Sequence, residues 1–125
     1  MRDVFVLDAG SLIAFLKDEE GADKVERLFR ETEEEKHELY MSWINVLEIY
    51  YGVYREDGKE VAEEVSSKVQ GLPITLVRQI SEPVFKEGGR LKASYRLSLA
   101  DSIAAAEAKS KGAILVTSDH HDFEL

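Results

Sequence analysis

Short apolar runs alternate along this chain with longer stretches in which apolar residues recur every three or four positions. Val4-Phe5-Val6-Leu7 is the first run, closed by Asp8 and by Ala9-Gly10. Its brevity and its punctuation predict a buried strand. Ser11 to Leu16 follows as a helix packed on that strand. Between Gly21 and Lys36, Val25, Leu28 and Phe29 fall at the i, i+3, i+4 spacing of an amphipathic helix. Leu39 to Trp43 predicts a second strand. Val46 to Tyr54 predicts a strongly apolar helix, with Asn45 as its N-cap and Asp57-Gly58 past its end. Lys59 to Val69 predicts another helix, closed by Gly71 and Pro73, and Ile74 to Val77 a third strand. Ser81-Glu82-Pro83 has the form of a cap followed by proline in the first turn. It opens a helix through Tyr95 that the Gly88-Gly89 pair weakens. Ser98 caps a helix through Lys111 that Gly112 ends, and Ala113 to Val116 is a fourth strand.

Strands that are continuous apolar runs, alternating with helices, predict an α/β fold with a central parallel sheet covered on both faces. No repeat, low-complexity tract or linker divides the chain, and 125 residues is the size of one domain, so residues 1–125 are expected to fold as a single unit. Hydrophobic residues at 44% and charge of mixed sign exclude the disordered class. The absence of cysteine excludes a disulfide scaffold, a zinc–thiolate site and a cysteine nucleophile. No apolar run approaches the ~20 residues of a membrane span, and the sequence shows no secretory leader. A cytoplasmic protein is expected.

The net charge of −9, from 16 Lys+Arg and 25 Asp+Glu, argues against an indiscriminate nucleic-acid binder. The charge is segregated, however. Acids concentrate between Asp18 and Glu38, which reads as a solvated helix face. Bases gather later, at Lys86, Arg90, Lys92 and Arg96. With Arg78 these could contact phosphates, although a solvated face has the same composition.

Four acids stand apart from this surface charge. Asp8 is the only charge between Val4 and Leu16, Glu48 the only one between Ser42 and Tyr54, and Asp101 the only one between Leu97 and Ala106. Asp119 follows the uncharged stretch from Gly112 to Ser118. A buried carboxylate without a partner is costly, so acids in such places are paired, protonated or bound to metal. Any one of them could be a turn or cap residue; four together are harder to explain that way. Asp8 and Asp119 fall at the carboxyl ends of expected parallel strands, the edge where open α/β sheets bind ligands. Glu48 and Asp101 lie early in helices that can face the same edge. Carboxylates converging there would raise one another's pKa, and a hard divalent cation, Mg²⁺ or Mn²⁺, relieves the conflict. His120-His121 offers a transition-metal alternative, but the oxygen-rich set favours a hard metal.

The ordered motifs Val6-Leu-Asp-Ala-Gly-Ser11, Asn45-Val-Leu-Glu-Ile-Tyr-Tyr-Gly52, Leu97-Ser-Leu-Ala-Asp-Ser-Ile-Ala104 and Leu115-Val-Thr-Ser-Asp-His-His-Asp-Phe123 resemble those of PIN domains, and in length the VapC-type toxins among them. The resemblance covers nearly the whole chain. It implies a ribonuclease in which Asp8, Glu48, Asp101 and Asp119 hold one or two Mg²⁺ or Mn²⁺ ions, with Asp122 at a further acidic position. Thr117 and Ser11 match hydroxyl positions beside the acids. A water activated by the metal would attack the phosphodiester of single-stranded RNA, leaving 5′-phosphate and 3′-hydroxyl ends. A protein antitoxin and a homodimer are also implied. PIN domains usually continue past the Asp-Phe pair into a last edge strand; this sequence ends at Leu125, so a sheet of about four strands is expected.

Two other readings compete. An aspartyl phosphotransferase could use Asp8, but a haloacid-dehalogenase-like enzyme needs an Asp two residues on, where Gly10 stands. A PIN-like module that only binds RNA or protein would have no use for four isolated acids. Trp43, Tyr50, Tyr51 and Tyr54 suit core packing or a dimer interface better than base stacking, and His37 is expected on the surface.

Overall fold

The computed structural model describes residues 2–117. Its elements run β1 (Asp3–Leu7), α1 (Ala9–Leu16), α2 (Ala22–Glu33), β2 (His37–Ser42), α3 (Trp43–Asp57), α4 (Lys59–Gln70), β3 (Thr75–Val77), α5 (Glu82–Ser94), α6 (Leu99–Lys111) and β4 (Ile114–Val116). The four strands form one sheet in the order β3-β2-β1-β4, and all three pairings are parallel. The expected α/β architecture is therefore present. No described helix is long and apolar enough to cross a membrane.

Pleating divides the strand side chains between two faces. Phe5, Leu7, Leu39, Met41, Leu76 and Val116 pack into a cluster that α1, α2, α3 and α4 complete with Leu12, Phe29, Ile49 and Val69. α6 lies against β1, β2 and β4. Its Ile103 and Ala106 join a second cluster with Val84 and Leu91 of α5. Its remaining buried alanines, Ala100, Ala104 and Ala108, recur every four residues and form a small-residue stripe for close packing. The α5–α6 contact is as tight. A Cβ at Gly88 would lie 2.9 Å from the Ile103 Cδ1, so the glycine that weakens α5 as an isolated helix allows α6 to approach. Glu87 adds a clasp across the pair, accepting from Arg90 on its own helix and from Lys109 on α6.

The caps read from the sequence at Ser81 and Ser98 are in place, accepting from the N–H groups of Val84 and Asp101. Gly112 takes the left-handed conformation that ends α6. Two expectations are corrected. Asn45 is not the cap of α3: the helix starts two residues earlier, Ser42 caps it through the Ile44 N–H, and Asn45 is fully buried inside it. His37 is not on the surface either. It opens β2, packs edge-on against the Phe5 ring with centroids 5.0 Å apart, and sits 3.7 Å from Glu31.

Candidate active site

All four strands point their carboxyl ends at one edge, because every pairing is parallel. Asp8 stands there, immediately after β1. It is both the acid that ends the strand and the N-cap of α1: its Oδ1 accepts from the Ser11 N–H at 2.8 Å. Asp8 is 2% exposed, and burial pushes its carboxyl pKa up. Hydrogen bonds from the Ser11 N–H and from Thr117, at the end of β4, oppose the rise, and the Asp101 charge adds to it. The Ser11 hydroxyl donates to the Val116 carbonyl, so the start of α1 and the end of β4 are tied beside the acid.

Glu48 projects from the second turn of α3 and is half-buried. Its carboxyl is also pushed up, first by burial, then by Asp101, then by Asp8. Asp101 lies in the first turn of α6, its own N–H donating to the capping Ser98 Oγ at 3.0 Å. The structure therefore brings Asp8, Glu48 and Asp101 into mutual electrostatic range. Among the described residues, no cation belongs to the groups that perturb Asp8 or Glu48. The fourth and fifth expected acids, Asp119 and Asp122, lie outside the described residues, as do His120 and His121.

Among the described residues no three acidic or histidine side chains already form a close cage. The donor set is nonetheless of the kind that fits Mg²⁺ or Mn²⁺: carboxylate oxygens that disfavour one another's charge. A cleft of about 420 Å³, which none of the three acids lines, is bordered by Ser11 and Thr117, the hydrogen-bond partners of Asp8, and by Glu20, Gly21 and Lys24 at the start of α2. The sequence analysis did not single out Lys24, whose position on this cleft depends on how α2 packs.

The basic residues proposed for phosphate contact are dispersed. Arg78 follows β3, at the far end of the strand order from β4. Its guanidinium lies 4.0 Å from the centre of the Trp43 ring and donates to Gln70. On α5, Lys86 pairs with Glu82 and Arg90 grips Glu87 with two nitrogens. Lys92 and Arg96 are exposed. Of the aromatic group, Trp43 packs partly against the core, Tyr50 bonds Glu63 of α4, and Tyr51 and Tyr54 are about half exposed.

The residue missed in the sequence is Asn45. Its amide meets the backbone on both sides of the acids, through Ala9 and Ala100. A signal was present: like the isolated acids, it is a polar residue in an apolar helical run, three positions before Glu48.

No curated protein is significantly similar to the chain. Solved structures are similar in fold. DNA-bound VapBC from Salmonella typhimurium aligns with a TM-score of 0.75 at 20% identity, over 100% of this chain and 92% of that one. VapBC2 from Rickettsia felis, bound to a promoter DNA fragment, gives 0.71 at 20% identity over 97% and 91%. Mycobacterium tuberculosis VapC20, a toxin that cleaves the sarcin-ricin loop, gives 0.69 at 11% identity over 93% and 90%. The PIN domain family model matches residues 5–124, which includes every acid discussed above, and the chain belongs to the PIN domain family.

Proposed function

We propose that this PIN domain is a Mg²⁺- or Mn²⁺-dependent endoribonuclease that cuts single-stranded RNA, and that it is the toxin of a VapBC-type toxin–antitoxin pair. The observation that carries the proposal is the meeting of Asp8, Glu48 and Asp101 at the carboxyl edge of the sheet, where burial and mutual repulsion raise the pKa of Asp8 and Glu48. Maintaining such a cluster is costly unless a cation is its purpose. The toxin–antitoxin neighbours support the assignment to that class.

Bound at this edge, the metal would acidify a water and neutralise charge on the phosphodiester under attack. Asp8, Glu48 and Asp101 would hold it together with Asp119 and Asp122. The Ser11 N–H and Thr117 orient the Asp8 carboxylate. Lys92 and Arg96, with Arg78, Lys86 and Arg90 once released from their present partners, would contact RNA phosphates. Products would carry 5′-phosphate and 3′-hydroxyl ends. The protein would act in the cytoplasm as a homodimer held in check by its antitoxin.

The test is cleavage of end-labelled single-stranded RNA with and without Mn²⁺, beside an Asp101→Asn variant purified identically. Cleavage that needs metal and vanishes in the variant is expected. Equal cleavage by both proteins would remove Asp101 from the site, and no cleavage combined with no Mn²⁺-induced thermal stabilisation would leave an inert binding module.

A further inference from the structure

Asn45 is wholly buried in α3, and its side chain makes two hydrogen bonds, each to the backbone of a different helix. Oδ1 accepts from the Ala9 N–H at 3.1 Å, and Nδ2 donates to the Ala100 carbonyl at 3.1 Å. The orientation of the amide follows from these partners, since an N–H needs an acceptor and a carbonyl needs a donor. Ala9 is the residue after Asp8, and Ala100 is the residue before Asp101. Glu48 stands three positions beyond Asn45, on the same side of α3. One amide therefore connects the backbones that carry three acids distant in sequence.

We infer that Asn45 is a positioning residue for the metal site, setting the separation of Asp8, Glu48 and Asp101 by fixing the first turns of α1 and α6 against α3. The inference rests on the metal-site reading above. The chemistry selects an amide. A carboxylate at this position would set a second acceptor against the Ala100 carbonyl, and an aliphatic side chain would leave the Ala9 N–H, at the first position of α1, without its acceptor and untie α3 from the Ala100 carbonyl. Groups that orient metal ligands from outside the coordination shell typically change metal affinity 10–100-fold when removed. A group that merely satisfied buried backbone would change stability and leave the affinity of the folded protein alone.

Mn²⁺ affinity measured by isothermal titration at low temperature separates the two roles. The proteins are the wild type, Asn45→Ala, Asn45→Ser, Asp101→Asn and Val69→Ala, each confirmed as folded by circular dichroism. Val69 is buried in α4, away from the acids, so its truncation destabilises the core without touching the site. Asn45→Ala is expected to bind Mn²⁺ about 10-fold or more weakly than the wild type, and Val69→Ala to bind it as the wild type does. Asn45→Ser keeps a shorter polar group that can hold a bridging water to the Ala9 N–H, so it is expected to fall between them and serves if the alanine variant does not fold. Wild-type affinity in every folded Asn45 variant, or an equal loss in Val69→Ala, overturns the inference. An absence of Mn²⁺ binding by the wild type would instead remove the metal-site reading, and the inference with it.

Discussion

Gly88 and Gly89 are adjacent in α5, yet the structure predicts opposite responses to the same substitution. Alanine stabilises a helix interior by about 1 kcal/mol relative to glycine. At exposed Gly89 a new Cβ meets nothing within 4 Å, so Gly89→Ala should gain that amount in full. At buried Gly88 the Cβ would lie 2.9 Å from the Ile103 Cδ1 and 3.9 Å from the Ala106 Cβ. Ile103 is 5% exposed and has little room to turn away. Overpacking of this kind costs about 1–3 kcal/mol, which cancels or exceeds the helix gain. The two variants should therefore differ by about 1–3 kcal/mol. With an m-value of about 1.5 kcal/mol/M, that separates their urea midpoints by about 0.7–2 M. The clash can be assigned to one atom. Ile103→Val removes Cδ1 at a cost of about 0.5–1.5 kcal/mol by itself. Combined with Gly88→Ala it should cost less than the sum, by about 1 kcal/mol. Equal stabilisation by alanine at both glycines, or strict additivity in the double variant, would refute the account of α5–α6 packing.

Asp8 yields a prediction with a definite sign. Its folded pKa lies above the usual carboxylate value, so its contribution to stability is fully present below about pH 3.8 and is lost as pH rises through the folded value. Metal-free Asp8→Asn should therefore melt above the wild type at pH 7, with the gap closing near pH 3.5 and the added Mn²⁺ stabilisation absent; calorimetry across pH measures all three. Glu87 behaves oppositely. Its carboxyl is held down to about 2 by the Arg90 and Lys109 hydrogen bonds, so its contribution is present above the ordinary value of 4.5 and fades as pH falls towards 2. Glu87→Gln should lower the melting temperature slightly at low salt and negligibly in 1 M NaCl, because the clasp is open to solvent. Ser98→Ala removes the acceptor for the Asp101 N–H and should cost about 1 kcal/mol in urea unfolding.

The strands were legible because strands of a parallel sheet covered by helices are short apolar runs, as Val4 to Leu7 and Ala113 to Val116 are, although β4 lies at the sheet edge and leaves Ile114 exposed. The caps at Ser81 and Ser98 and the stop at Gly112 were legible because each satisfies a local backbone requirement. Asn45 was misread for the same reason. A polar residue before an apolar helical run looks like a local cap, whereas its partners lie 36 and 55 residues away. His37 was misplaced because its neighbours in sequence are charged, while its neighbours in space are Phe5 and Glu31.

Sequence alone thus determined the α/β class, most element boundaries and the three described acids that stand apart from surface charge, since each follows from periodicity, capping or the cost of an unpaired buried carboxylate. Tertiary structure decided the strand order, the depth at which Asp8 is buried, and which cations are committed to Glu82, Glu87 or the Trp43 ring. It also turned Asn45 from a helix cap into the link between the acid-bearing helices. These properties depend on groups remote in the chain, whose approach is set by packing, and no local pattern encodes them.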